Sequence, residues 1–300
     1  MKLRTDKLKL KKYGIDKKEE LEFGMHEFTV IKEFIYKHAG IDISEGKLYF
    51  LKKRVLQRVK AKEMDSVEEY MKYLKFFDKE KKEMNDLINA VTINETYFFR
   101  EFNQLQAFGE CCIEDVLIKN KGKKNIKILS AGTSSGEEPY TLAIIINEIL
   151  EGEDIEFEII GIDIDDNMLE KAQKGIYGLR SVKRVPPRYL EKYFDKVGLD
   201  EEEYKIKSFI KEKIKFRKVN LSDKEELLRI GRNFDFIFCR NVLIYFDQES
   251  KKRVIENYYK MMNYDGYIFL GHSESLFRIT TAFKLKKMGG QLVYQKSKEV

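Results

Sequence analysis

Apolar positions along this chain follow two periods, and the change from one to the other divides it. From residue 26 to 119 they recur at helical spacing, which lays one apolar face along each segment. Candidate helices fall at about 26–38, 46–62, 66–77, 79–91 and 102–119, with Asp65-Ser66 and Asp78 as start signals. From 125 onward short apolar runs alternate with helical segments: Ile126–Leu129, Phe157–Ile162, Phe234–Phe238 and Tyr267–Leu270. That alternation predicts a mostly parallel sheet with crossover helices. Residues 204–219, YKIKSFIKEKIKFRKV, alternate Lys with apolar side chains and predict a small hairpin inserted in the α/β part. Ala282–Leu285 and Gln291–Tyr294 predict a closing antiparallel pair around Gly289-Gly290. The expected organisation is a basic arm (1–25), a helical domain (26–91), a linker with a connecting helix (92–124) and an α/β domain (125–300). The inserted hairpin subdomain covers about 178–219.

Composition narrows this picture without redirecting it. A length of 300 residues suits two domains, and 43% apolar content supports real cores. The net charge of +6 sits in a chain that is 36% charged. Such richness in Lys and Glu fits a heat-adapted surface as well as a nucleic-acid binder, so placement matters more than the total. Cys111, Cys112 and Cys239 show no C-x-x-C spacing, and His26, His38 and His272 show no metal spacing. Free thiols in a reducing cytosol and no structural zinc are expected. No apolar run approaches a membrane span, and the charged N-terminus has no signal-like core, so a cytoplasmic protein without membrane insertion is expected.

The chemistry concentrates in Ile126–Tyr140, IKILSAGTSSGEEPY. An apolar strand ends in a glycine-spaced loop, Gly132-Thr-Ser-Ser-Gly136, and an acidic doublet, Glu137-Glu138, opens a helix. This order builds a nucleotide pocket at the carboxyl end of a first strand. The fingerprints G-x-G-x-x-G and G-K-[ST] are both absent. No basic residue stands in the loop to meet phosphate; two carboxylates stand there instead. Such a loop suits a nucleoside carrying positive charge, such as S-adenosylmethionine.

Asp163 ends the next strand, in GIDID, where an acid accepts hydrogen bonds from both ribose hydroxyls. The competing reading, a helix N-cap, suits Asp165 better. Asn220-Leu221 closes the alternating segment. It is read either as an adenine contact, amide on the amino group and Leu on the ring, or as a turn asparagine. FDFIFCRNVLIYF, Phe234–Phe246, runs an apolar strand into Arg240-Asn241. Polar residues there sit over the pocket, and Tyr245 either hangs a phenol beside the reactive methyl or is amphipathic core. TINETYFFRE, Thr92–Glu101, holds Asn94, Thr96 and Arg100 among aromatics; an ordinary linker explains the aromatics but not Arg100. Residues 47–62, KLYFLKKRVLQRVKAK, carry basic residues and no acid. Leu48, Leu51, Val55 and Val59 form one helical face, and Lys47, Arg54, Arg58 and Lys62 form a stripe elsewhere. The stripe is either a solvated face or a dock for an acidic partner.

Taken together, TINETYFFRE, SAGTSSGEEPYTLA, GIDID, the VNL of Val219–Leu221, FCRNVLIYFD and LGHSES resemble the chemotaxis receptor glutamate methyltransferases, the CheR family. The motifs fall in order from residue 92 to 275, and the helical segment before them resembles the family's N-terminal domain. The resemblance implies a class I S-adenosylmethionine-dependent methyltransferase: a Rossmann-like sheet with an N-terminal all-helical domain and a small inserted antiparallel β-subdomain. It implies S-adenosylmethionine bound through Asn94, Thr96, Arg100, a Glu of the 137–138 pair, Asp163, Asn220, Leu221, Arg240 and Asn241. Motif spacing favours Glu138. The implied product is S-adenosylhomocysteine. Tyr245 takes the position near the transferred methyl, and Arg100 shares the catalytic end. The implied reaction converts receptor glutamates to methyl esters, with the cytoplasmic domains of methyl-accepting receptors as partners. Arg54 and Arg58 would be the substrate dock. A monomer that binds no nucleic acid is expected. In some members the β-subdomain docks a receptor tail peptide; here its loop around Gly198–Glu203 is rebuilt as an acidic stretch. Two rivals stand: a nucleic-acid methyltransferase, suggested by the pI of 8.8 but lacking an N-P-P-Y loop, and a non-catalytic S-adenosylmethionine-binding module.

Overall fold

The computed structural model describes residues 21–198 and 202–298. The expected basic arm therefore lies almost wholly outside the described residues. The chain packs as two units: residues up to Phe34 with Ser44–Val91, and Ile35–Ile43 with Thr92 onward.

The helices Leu48–Ala61, Val67–Phe76 and Lys82–Val91 belong to the first unit, and the helix Met25–Ala39 passes from it into the second at Ile35; all lie close to the periodic segments of the sequence. Leu51, Val55 and Val59 are buried on one face of Leu48–Ala61, as their spacing dictates. Start signals act as hydrogen-bond acceptors. The Ser66 side chain accepts from the Glu69 amide, and the Asp78 carboxylate accepts from the amides of Glu83 and Met84.

The second unit carries ten strands: β1 (Asn125–Ala131), β2 (Glu156–Asp163), β3 (Ile176–Gly178), β4 (Phe194–Val197), β5 (Glu203–Ile206), β6 (Ile214–Lys218), β7 (Phe234–Cys239), β8 (Met262–Leu270), β9 (Lys284–Met288) and β10 (Gln291–Gln295). The main sheet runs β6-β2-β1-β7-β8-β10-β9, and its first five members pair parallel. The strands β9 and β10 form the expected antiparallel pair. β7 is buried at every position, because helices cover both faces of the parallel core. The segment 102–119 is helical with a π turn at Phe108–Cys112.

One expectation is corrected. Residues 204–219 are not a hairpin. β5 pairs with β3 and β4 in a three-stranded antiparallel sheet, whereas β6 pairs parallel with β2 at the edge of the main sheet. A short helix, Ser208–Lys211, turns the chain between them. Period-two alternation marks a strand with one wet face and says nothing about its partner. The small sheet thus draws on Ile176–Gly178, before the expected subdomain, and gives up 214–218.

The chain builds β1, β2 and β6 outward on one side, then crosses to lay β7 and β8 on the other side of β1. Strand order reverses between β1 and β7. Loops leaving the carboxyl ends of those strands diverge there and leave a crevice, the usual ligand position in such sheets.

Candidate active site

That crevice is a cleft of about 1020 Å³, counting the space open to solvent at its mouth. Its wall is built from the loops after β1, β2, β6 and β7, together with Thr92–Tyr97 and Arg100. Asn94, Thr96, Arg100, Glu138, Asp163, Asn220, Leu221, Arg240, Asn241 and Tyr245 all line it. Arg54 and Arg58 belong to the other unit.

The loop after β1 needs its glycines. Gly132 sits at φ +73, and a Cβ there would lie 2.3 Å from Val242 Cγ2. Gly136 caps the helix Glu137–Ile149 at φ +94. Both conformations are strained for any residue with a side chain. The turn aims the Ser134 amide at Asp163 Oδ2, 2.7 Å away, while Asp163 Oδ1 accepts from the Asp165 amide at 2.9 Å. Burial pushes the Asp163 carboxyl above the usual carboxylate range, and the two amides oppose that shift. Each oxygen keeps acceptor capacity for a second donor. Asp165, not Asp163, is the N-cap of the following helix, accepting from the amides of Asn167 and Met168. Asp165 also accepts from Asn94 Nδ2 at 2.9 Å, which ties the Thr92–Thr96 segment to the sheet.

Of the acidic doublet, Glu138 faces the cleft. Its Oε1 accepts from Ser130 Oγ at 2.8 Å and its Oε2 from Arg240 Nη1 at 3.3 Å. Burial raises its pKa and the Arg240 charge opposes the rise. Glu137 turns away, accepting from the Ser135 and Ser181 hydroxyls. Arg240 is 3% exposed and also donates to the Arg100 carbonyl and pairs with Glu101. Even so, Arg240 Nε and Asn241 Oδ1 are buried without a hydrogen-bond partner. Unpaired buried polar atoms are costly, so a wall that keeps them is built to receive something polar. An orphan acceptor and a carboxylate fit the amino group and sulfonium of S-adenosylmethionine, in a cleft whose two arginines, Arg100 and Arg240, are already bonded within the protein. Asp163 fits its ribose.

Asn220 takes the turn role. Its Nδ2 donates to the His38 carbonyl at 2.6 Å, and its Oδ1 accepts from the Ser222 amide at 3.0 Å. It still lines the cleft beside Leu221. Arg100 donates to the Glu95 carbonyl and lies over the Tyr97 ring, 5.8 Å from its centroid. Tyr245 sits in a 3-10 turn after β7, its ring packed on the core and its hydroxyl 3.5 Å from the Ile93 carbonyl. It lies both against the core and on the cleft wall. Burial raises its phenol pKa.

The expected dock at Arg54 and Arg58 is corrected in part. Arg58 is no free cation: its Nε and Nη2 grip Glu83 at 2.8 and 2.6 Å, and Nη2 also meets Asp86 at 2.6 Å. The acids that neutralise it come from another helix, which helical spacing within one segment cannot reveal. Arg54 stacks over Phe50, 5.4 Å from the ring centroid.

Sequence reading missed Glu101, the second acid on Arg240, and the apolar wall formed by Ala39 and Ile41. Glu101 ends the TINETYFFRE motif and was legible there. Ala39 and Ile41 carry no signal, being small or apolar residues far from every motif.

Comparison with known proteins follows the same division. Residues 26–92 match the family model "CheR methyltransferase, all-alpha domain", and residues 94–291 match "CheR methyltransferase, SAM binding domain". "Chemotaxis protein methyltransferase 2" of Vibrio cholerae is 38% identical over 271 residues, covering 90% of this chain and 92% of that protein. "Chemotaxis protein methyltransferase" of Salmonella typhimurium is 32% identical over 91% of this chain and 90% of its own length. Its counterpart from Escherichia coli is 30% identical over 94% of each.

Proposed function

Since the chain belongs to the CheR methyltransferase family, we propose that it transfers the methyl group of S-adenosylmethionine to glutamate side chains of methyl-accepting chemotaxis receptors, leaving glutamate methyl esters. The observation that carries this reading is the acidic character of the cleft. Two carboxylates, buried Asp163 and partly buried Glu138, face the cleft at a strand-order switch. The two arginines of the wall are engaged within the protein, Arg240 by Glu138 and Glu101 and Arg100 by the Glu95 carbonyl, so the acceptor capacity that remains favours a cationic nucleoside over a phosphate-bearing one.

In this reading Asp163 accepts from the ribose hydroxyls, and Leu221 with Asn220 borders the adenine end. Glu138, held by Arg240 and Ser130, and Asn241 Oδ1 receive the amino group. Asn94 and Thr96 shape the wall between them. When bound, S-adenosylmethionine supplies an electrophilic methyl on a sulfonium. The acceptor carboxylate, with a pKa of about 4.3, is already ionised at neutral pH and needs no general base. No histidine lines the cleft among the described residues, in keeping with that chemistry. Because opposite charges cancel along the path, alignment and exclusion of water matter more than proton transfer. Arg100 and Tyr245 orient the incoming carboxylate. With one guanidinium N–H already bound to the Glu95 carbonyl, Arg100 positions the carboxylate without fully neutralising it. Arg54 remains as an electrostatic contact for the acidic substrate. The working unit is a single chain, and nucleic acid is no partner.

The test is incubation of the protein with methyl-labelled S-adenosylmethionine and receptor cytoplasmic fragments. Label should appear on the receptor and leave on mild base treatment, as an ester does. Base-stable label, or label on added nucleic acid, would overturn the proposal.

A further inference from the structure

One motif of the sequence, LGHSES at Leu270–Ser275, has no part in the chemistry so far, yet one of its side chains makes the densest set of backbone contacts near the cleft. Glu274 Oε2 accepts from the amides of Asn241 and Gly271, at 2.8 and 2.7 Å. Its Oε1 accepts from the amides of Val242 and Ile244, at 3.0 and 3.2 Å. The Glu274 amide in turn donates to the Gly271 carbonyl at 2.9 Å. One carboxylate thus binds four backbone N–H groups from two loops, those leaving β7 and β8.

The bound loop is the one that carries the site. Asn241 stands at φ +61, a left-handed conformation that asparagine tolerates better than other residues with a side chain, and that the surrounding contacts hold. Asn241 lines the cleft, and Tyr245 follows three residues after Val242 in the same turn, its amide donating to the Val242 carbonyl. The geometry is close. A Cβ on Gly271 would lie 2.8 Å from the Asn241 amide nitrogen and 2.9 Å from Glu274 Oε2.

From this we infer that Glu274 is the positioning residue of the methyl-transfer site, a carboxylate clamp that sets the Asn241–Tyr245 loop. The chemistry explains why a carboxylate stands there. An ionised carboxylate is acceptor-only, with about four lone-pair sites, and four N–H groups converge on it. A glutamine of the same shape offers one oxygen and turns its amide N–H groups against two of those donors. A residue that merely filled space would tolerate that exchange; a clamp does not. The inference rests on the methyltransferase reading above, and on Tyr245 and Asn241 lying at its reacting end.

The experiment measures single-turnover methyl transfer and amide hydrogen exchange for Glu274→Gln, Tyr245→Phe and the double variant of the full chain. Glu274→Gln should slow methyl transfer at least tenfold, speed exchange at Val242 and Ile244, and leave cooperative unfolding in place. Because the clamp acts partly through Tyr245, the two losses should fall short of multiplying in the double variant. If Glu274→Gln keeps the wild-type rate, the inference is overturned whatever Tyr245→Phe does. If Tyr245→Phe alone is silent while Glu274→Gln is slow, the role of the phenol falls and the clamp stands through Asn241. Should Glu274→Gln fail to fold, Gly271→Ala tests the same clamp by pushing the loop away with the carboxylate in place. A wild-type rate in that variant overturns the inference equally. Protein that folds and binds S-adenosylmethionine normally but labels no receptor even as wild type overturns the methyltransferase reading instead.

Discussion

Arg58 in the helical unit and Arg240 in the α/β unit are each gripped by two carboxylates. Arg58 holds Glu83 and Asp86, and Glu83, only 3% exposed, also accepts from the Tyr70 hydroxyl. Arg240 holds Glu138 and Glu101 and donates to the Arg100 carbonyl. Among the described residues, no side-chain atom of Arg58, Glu83 or Asp86 is buried without a partner, whereas around Arg240 three are buried without a hydrogen bond: its own Nε, Asn241 Oδ1 and Glu101 Oε2, the last only in ion-pair range. The first cluster spends its hydrogen bonds inside the protein and does structural work. The second keeps part of its capacity open, against a cost of about 1–3 kcal/mol for each unmet group. A charge cluster announces a ligand through what it leaves unsatisfied, not through how many charges it gathers.

That contrast predicts where each cluster fails. The largest effect should come from Arg58→Ala, which strands the Glu83 carboxylate in the helical core with only Tyr70 as donor. Unfolding free energy should fall by ~3 kcal/mol, as when one partner of a buried pair is removed. Urea denaturation reports it, and S-adenosylmethionine affinity in the folded baseline should not move. A variant with unchanged stability and weakened cofactor binding would reverse the assignment of the two clusters.

Asp163→Ala should act on the ligand. Losing two charge-assisted hydrogen bonds to ribose weakens S-adenosylmethionine by about 2–3 kcal/mol, roughly a hundredfold, in the folded protein, while the Ser134 and Asp165 amides left without their acceptor lower stability as well. Calorimetry that finds equal affinity in folded protein removes Asp163 from the site. The same group sets a pH dependence. Burial raises the Asp163 and Glu138 pKa values in the free protein, and the ligand binds the ionised forms. Affinity should therefore fall as pH drops, beginning above the usual carboxylate range, and Asp163→Asn should remove part of that acid limb. An acid limb unchanged in Asp163→Asn would leave the loss to Glu138 alone.

A smaller effect is expected from Tyr245→Phe, which deletes one hydroxyl at the reacting end. The rate of methyl transfer should drop about tenfold, the worth of one hydrogen bond, with cofactor Kd intact. Lost stability at full rate would make Tyr245 core only. The smallest effect should come from Arg54→Glu, since a partly exposed surface charge contributes about 0–1 kcal/mol. Receptor KM should rise a few-fold at low salt, and the difference from wild type should shrink as ionic strength shortens the Debye length below about 8 Å. Matching salt curves would mark Arg54 as a solvated face.

Much of the site was written locally, and for a reason. Strand, glycine turn and acidic helix start lie within Ile126–Tyr140, so spacing placed Gly132, Gly136 and the Glu137-Glu138 doublet, and the fold then turned Glu138 to the cleft and Glu137 away. Asp163 and Arg240-Asn241 followed, because polar residues at the carboxyl end of a buried parallel strand must project over the crevice. The sequence by itself determined which segments become strands and helices, since periodic apolar positions and capping groups act within a few residues. It determined the acidic character of the pocket, since no basic residue interrupts Gly132–Glu138. Only the tertiary structure decided who meets whom. It sent β6 to the main sheet and β5 to the small one, because alternation fixes a wet face and not a partner. It closed Arg58 on Glu83 and left Arg240 open, and it brought Glu274 onto four amides, three of them thirty or more residues away and one within its own turn. Pairing, charge neutralisation and backbone clamping are contacts between segments, and their partners are chosen only when the chain folds back on itself.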